Sequence, residues 1–201
     1  MQRTVATPFG PAAAVLDVPP DPVSLLALGH GAGGGVDAAD LLAVRRLALA
    51  RGVAVARVTQ PYRVAGRRAP APAGQLDAAW TAVMAALRGD LAALPLIAGG
   101  RSSGARVACR TAAAVGAVGL VALAFPLHPP GRPERSRADE LRTGLPTVVV
   151  NGDRDPFGRP EPGDDIVVEV LAGADHSLRK VAGRAAEIVV DWLAGRGWAR
   201  D

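Results

Sequence analysis

Short apolar runs recur along this chain and alternate with longer stretches of helical spacing, and few architectures accommodate that alternation. The runs are Ala12 to Val18, Val23 to Leu28, Val53 to Val58, Leu94 to Ala98, Val118 to Phe125, Thr147 to Val150 and Ile166 to Leu171. Most are too apolar to present a wet face, so they are expected as strands covered on both sides. Between them the spacing predicts helices over Ala38 to Arg51, closed by Gly52, and over Leu76 to Arg88, with Leu76, Trp80, Val83, Met84 and Leu87 on one stripe and Gly89 as a stop. Two more are expected over Ala105 to Ala114 and Val181 to Ala194. Strand, crossover helix and parallel strand in succession imply an α/β fold, a three-layer α/β/α sandwich on a mostly parallel, doubly wound sheet. No linker or internal repeat divides the 201 residues, so residues 1–201 are expected to form one domain. Tyr62 to Gly74 and Pro129 to Arg137 are rich in Pro, Gly and Arg and read as irregular loops.

Composition removes several function classes. With 49% hydrophobic and 21% charged residues the chain is globular in character. Cys109 is the single cysteine, so no internal disulfide is available. Every apolar stretch is broken well before the roughly 20 residues that span a bilayer. The segment Met1 to Gly10 meets Pro8 before any apolar run, unlike a secretory signal, and a cytoplasmic protein is expected. The net charge of +4 rests on arginine, Lys180 being the one lysine. The clusters Arg63, Arg67, Arg68 and Arg132, Arg135, Arg137 fall in loops, and aromatics make up 3%, so stacking partners for nucleic acid are scarce and none is expected as a ligand. His30, His128, His176 and Cys109 are too widely spaced for a metal site, and neither a metal nor another cofactor is expected.

The chemistry concentrates at the ends of the predicted strands. Gly100-Arg101-Ser102-Ser103-Gly104 follows the run ending at Ala98 and opens the helix near Ala105, matching G-x-S-x-G. A serine at such a strand-to-helix turn is held with its hydroxyl above the sheet edge, and the new helix aims its first N–H groups there. A serine nucleophile needs a base, and the base an orienting acid. Asn151-Gly152-Asp153-Arg154-Asp155 follows the strand Thr147 to Val150, with Asp155 the preferred acid and Asp153 the alternative. His176 follows the last strand. The order Ser102, Asp155, His176 is the one α/β-hydrolases use.

Gly29-His30-Gly31-Ala32-Gly33-Gly34-Gly35 follows an earlier strand and matches G-x-G-x-x-G as well. A dinucleotide site would want an acid at the end of the next strand, where Thr59 and Gln60 stand instead. A phosphate-binding P-loop would want a lysine, and Lys180 is remote. The loop suits an oxyanion donor better, and the N–H groups of Ala32 and Ser103 are the expected pair, a tight turn before a helix being the alternative. His30, Tyr62, Arg63, Arg101 and His128 lie near the same edge as candidate substrate contacts. For any one arginine a salt bridge with a loop acid competes with that role, and for His128 a structural role does.

Four ordered segments resemble the α/β-hydrolase superfamily, and in particular a small lidless bacterial branch of it: His30 to Gly34, Gly99 to Ser102, Pro126 to Gly131 and Asp155 to Gly158. That branch is similar to a testis-expressed protein and to a regulatory subunit of a chromatin acetyltransferase complex. The dienelactone hydrolases are a neighbouring family, from which the chain departs in having Ser rather than Cys at position 102. The resemblance implies Ser102 as nucleophile, Asp155 as orienting acid, His176 as general base and no large cap domain. The expectation is a monomer or homodimer that cleaves a small-molecule acyl substrate such as a small ester. A catalytically silent scaffold of the same shape is the alternative.

Overall fold

The computed structural model describes residues 1–89 and 91–201. Among them, eight strands form one sheet: β1 (Gln2–Val5), β2 (Ala12–Asp17), β3 (Ser24–Gly29), β4 (Val53–Thr59), β5 (Leu96–Arg101), β6 (Gly119–Leu123), β7 (Thr147–Gly152) and β8 (Ile166–Leu171). Their order is β1-β2-β4-β3-β5-β6-β7-β8. β1, β2 and β4 pair antiparallel, and every pair from β4 through β8 is parallel. The helices are α1 (Ala39–Ala50), the single turn α2 (Pro61–Val64), α3 (Ala73–Leu87), α4 (Ser103–Val115) and α5 (Ala182–Ala194).

Side-chain alternation along the central strands divides the interior into two cores. Leu25, Ala27, Ala54, Ala56, Leu96, Ala98, Leu120 and Val149 face α3 and α4, where Trp80, Met84, Ala108 and Ala112 meet them. Leu26, Leu28, Val53, Val55, Ile97, Val121, Val148 and Val150 face α1 and α5, against Leu41, Val44, Val189 and Leu193. Burying one such large apolar side chain stabilises the fold by about 1.5–3 kcal/mol, so the two-faced sequence of these strands commits the sheet to helices on both sides.

Three expectations need correction. β8 is not covered on both faces, because no helix lies between β7 and β8, and Val167 and Val170 are 40% and 43% exposed at this edge. β1 was not anticipated, and it adds an antiparallel edge strand through register pairs from Gln2 with Val15 to Val5 with Ala12. The loop expected from Tyr62 to Gly74 is shorter, since Pro61 starts a helical turn and α3 begins at Ala73. Pro at the first helical position loses no hydrogen bond, which explains why Pro61 starts that turn rather than preventing it. The link from β6 to β7 holds a short 3₁₀ turn at Ala138–Leu141 and no cap domain. No helix among the described residues is long and apolar enough to cross a membrane.

Candidate active site

The sheet order reverses around β3, with β4 on one side and β5 on the other, and crevices of open α/β sheets form beyond the carboxyl ends of strands at such a point. Ser102 stands there, between the last residue of β5 and the first of α4, at φ 52° and ψ −111°. A non-glycine residue in that region costs about 1–3 kcal/mol. Its N–H donates to Leu123 O at 2.8 Å, which ties the turn to the end of β6. Gly104 allows the turn to sit this low, since a Cβ there would collide with the backbone of Gly29.

His176 and Asp155 converge on this serine. The Ser102 hydroxyl lies 2.9 Å from His176 Nε2, and Asp155 Oδ2 lies 2.8 Å from His176 Nδ1. The carboxylate oxygen accepts a hydrogen bond from Nδ1–H, which leaves Nε2 unprotonated and able to take the serine proton. Asp155 is held on its other side: Oδ1 accepts the Phe157 N–H at 2.9 Å, and Oδ2 accepts from Asn151 Nδ2 at 3.3 Å. Asn151 is fully buried and reaches across to β6, exchanging hydrogen bonds with the Phe125 N–H and carbonyl at 2.9 and 3.2 Å. The Phe157 ring stacks on the His176 imidazole, centroids 4.2 Å apart and planes inclined by 32°. Asp153, the alternative acid, is exposed on the same turn, while Asp155 is buried.

The glycine-rich loop after β3 is anchored from the end of β4. The Gln60 N–H donates to His30 Nε2 at 3.1 Å, so His30 carries its proton on Nδ1 and donates to Gly31 O at 2.8 Å. Burial, with a smaller contribution from the Arg63 charge, pushes the His30 imidazole below its ordinary range and favours this neutral form. The Tyr62 hydroxyl donates to Ala32 O at 2.8 Å, and Arg57 Nη1 donates to Val36 O at 2.9 Å and Asp37 Oδ1 at 2.7 Å. Ser103 opens α4, so its N–H has no carbonyl one turn back to receive it and faces the space at the helix N-terminus.

The other candidates are distributed as follows. His30 is 2% exposed, and both of its ring nitrogens are engaged within the protein. Tyr62 is 6% exposed and spends its hydroxyl on Ala32. Arg63 donates to Arg67 O at the surface. Arg101 faces inward to His176 O and Asp40. His128 lies against Gly158, within the turn that carries Asp155, and its N–H donates to Phe157 O at 2.9 Å. The roles of Asn151, Gln60, Arg57 and the Phe157 ring were not anticipated from the sequence, because they arise from contacts across the fold and no motif announces them.

An eight-stranded, mostly parallel sheet with a serine at the β5–α4 turn and an open upper edge defines the α/β-hydrolase fold without a cap. A family model described as an alpha/beta hydrolase domain matches residues 22–191, and the chain belongs to that family. Among solved structures it is similar to an α/β serine hydrolase homologue from Coxiella burnetii, at 16% identity and TM-score 0.82, over 96% of this chain and 97% of the other. It is also similar to a lidless α/β serine hydrolase from Xanthomonas campestris, at 20% identity and TM-score 0.81, over 100% and 95% of the two chains. A dienelactone hydrolase from Anabaena variabilis aligns at 15% identity and TM-score 0.76, over 97% and 96%. None of the curated proteins matches the chain in sequence.

Proposed function

We propose that this protein is a serine hydrolase that cleaves small, accessible esters through an acyl-enzyme. The supporting observation is the continuous hydrogen-bonded line from Ser102 through His176 to Asp155. In this reading His176 Nε2 takes the hydroxyl proton as Ser102 Oγ attacks the carbonyl carbon, and Asp155 stabilises the imidazolium that forms. The proton passes to the leaving alkoxide as the ester C–O bond breaks. Water, deprotonated by His176, then releases the acid and restores the serine. The N–H groups of Ser103 and Ala32 receive the oxyanion, a contribution worth about 2.7–4 kcal/mol per donor in such sites.

The enclosed space directly beside Ser103 favours a short acyl group. A void of about 10 Å³ adjoins Ser103 between His30, Trp80 and Val107, and a depression of about 70 Å³ lies beyond Tyr62 and Gln60. Both are far below the roughly 300–1,000 Å³ of pockets that enclose drug-sized ligands. The test is labelling by a fluorophosphonate probe. Wild type should be labelled and the Ser102→Ala variant should not. A folded wild type that stays unlabelled would leave the scaffold reading in its place.

A further inference from the structure

The side chain just before the serine turns inward and meets three segments. Arg101 Nη2 donates to the main-chain carbonyl of His176 at 2.9 Å. Its Nε stands 3.1 Å from Asp40 Oδ2, in the first turn of α1. A Cβ added to Gly31 would come within 2.9 Å of its Nη1, so the guanidinium also fills the space under the glycine-rich loop. The Asp40 side chain is 1% exposed, and a buried carboxylate deprived of its cation is strongly destabilising. The Nε–Oδ2 approach is an ion pair by distance, with the N–H not aligned as a hydrogen bond. Asp40 Oδ1 meanwhile accepts the Leu41 N–H at 2.9 Å. A planar guanidinium can face a carboxylate along one edge and a carbonyl along another, which an ammonium group cannot reproduce.

Resting on the hydrolase reading above, we propose that Arg101 is a positioning residue: braced by Asp40, it fixes the main chain at His176 and the Gly31 turn, and so keeps the imidazole in line between Ser102 and Asp155. Arg101 also borders an open groove of about 410 Å³ with Asp37, Ala38, Leu42, Ser177 and Arg179. That placement raises the rival role of binding an anionic substrate. The geometry opposes the rival, because Nη2 is committed to the His176 carbonyl and Nε stands against the Asp40 carboxylate.

The test compares wild type with Arg101→Met, Arg101→Lys and Asp40→Asn on 4-nitrophenyl acetate and on an ester with a carboxylate at the far end of its acyl chain. For Arg101→Met the expected result is a fall in kcat of about tenfold or more on both esters with little change in KM, since misplacement of a reacting group costs rate rather than binding. Arg101→Lys should fail to restore it, and Asp40→Asn should fall between. In parallel, the far-downfield NMR signal of the His176 Nδ1 proton, present in wild type, should broaden or vanish in Arg101→Met and weaken in Arg101→Lys, at temperatures where circular dichroism shows both folded. An unchanged signal with unchanged kcat, or a rise in KM confined to the anionic ester, would overturn the proposal. Should wild type show neither turnover nor probe labelling, the hydrolase reading fails, while the NMR comparison still decides the role of Arg101.

Discussion

Asp153 and Asp155 stand on one turn, yet only Asp155 is sheltered from water and bonded to His176. Replacing Asp155 by Asn would remove the acceptor that fixes the imidazole tautomer, and kcat is expected to fall by about 10³–10⁴-fold. Asp153→Asn is expected to leave kcat within about twofold, since surface substitutions away from such networks have little effect. Steady-state kinetics on a small ester distinguishes the two. The serine, the histidine and the acid pair were legible in the sequence because each follows an apolar run, and strand ends in a parallel sheet gather at one rim. The choice between the two acids was not, because it depends on Asn151 reaching 26 residues back to Phe125 and on the Phe157 N–H folding over the carboxylate.

At the scale of elements, β4 holds the glycine-rich loop in place although it contributes none of the three residues in the Ser102–His176–Asp155 line. The link runs through His30, 30 residues from Gln60, and works only while the ring is neutral and Nε2 can accept. Because burial lowers the folded-state pKa of His30, the unfolded chain takes up its proton first as the pH falls. Stability from this group is therefore complete above the ordinary imidazole pKa of about 6.5 and is lost progressively as the pH falls from there through the lower folded-state value. The melting temperature of wild type should fall between pH 7.5 and pH 5 more steeply than that of His30→Gln, whose amide oxygen accepts at all these values. Parallel thermal melts at the two pH values check it. The central strands were legible from their unbroken apolar runs. β1 was not: Gln2-Arg3-Thr4-Val5 has one large apolar side chain, and only pairing with β2 makes it a strand. The run of β8 was legible, but its bare edge depends on a helix that the β7–β8 link lacks.

Across the whole molecule the two ends of the sheet divide the work. Ser102, Asp155 and His176 occupy the carboxyl rim, while the last residues of the chain close the opposite one. Ser24 Oγ donates to Trp198 O at 2.5 Å, the Trp198 ring lies over Gly119, and the Arg200 N–H donates to Arg51 O at 2.8 Å. Trp198 also packs edge-on against Trp192, centroids 5.5 Å apart. Trp198→Ala should lose about 2 kcal/mol, less than a fully buried tryptophan because the side chain is only partly buried, and lower Tm by about 4–8 °C. Probe labelling at 25 °C should be unaffected, and calorimetry beside a labelling assay reads both. The helix-free passage from β7 to β8 has a different consequence. Glu161 to Asp165 are all exposed, and beside them lies an open trough of about 670 Å³ lined by Leu127, Leu141, Pro160, Pro162 and Ile166. The triad-side turn ends at Gly158, so new sequence spliced between Glu161 and Asp164 would leave its bonds untouched. This passage is a natural grafting point, where an inserted helix would roof the trough and cover side chains of β8 that now face solvent.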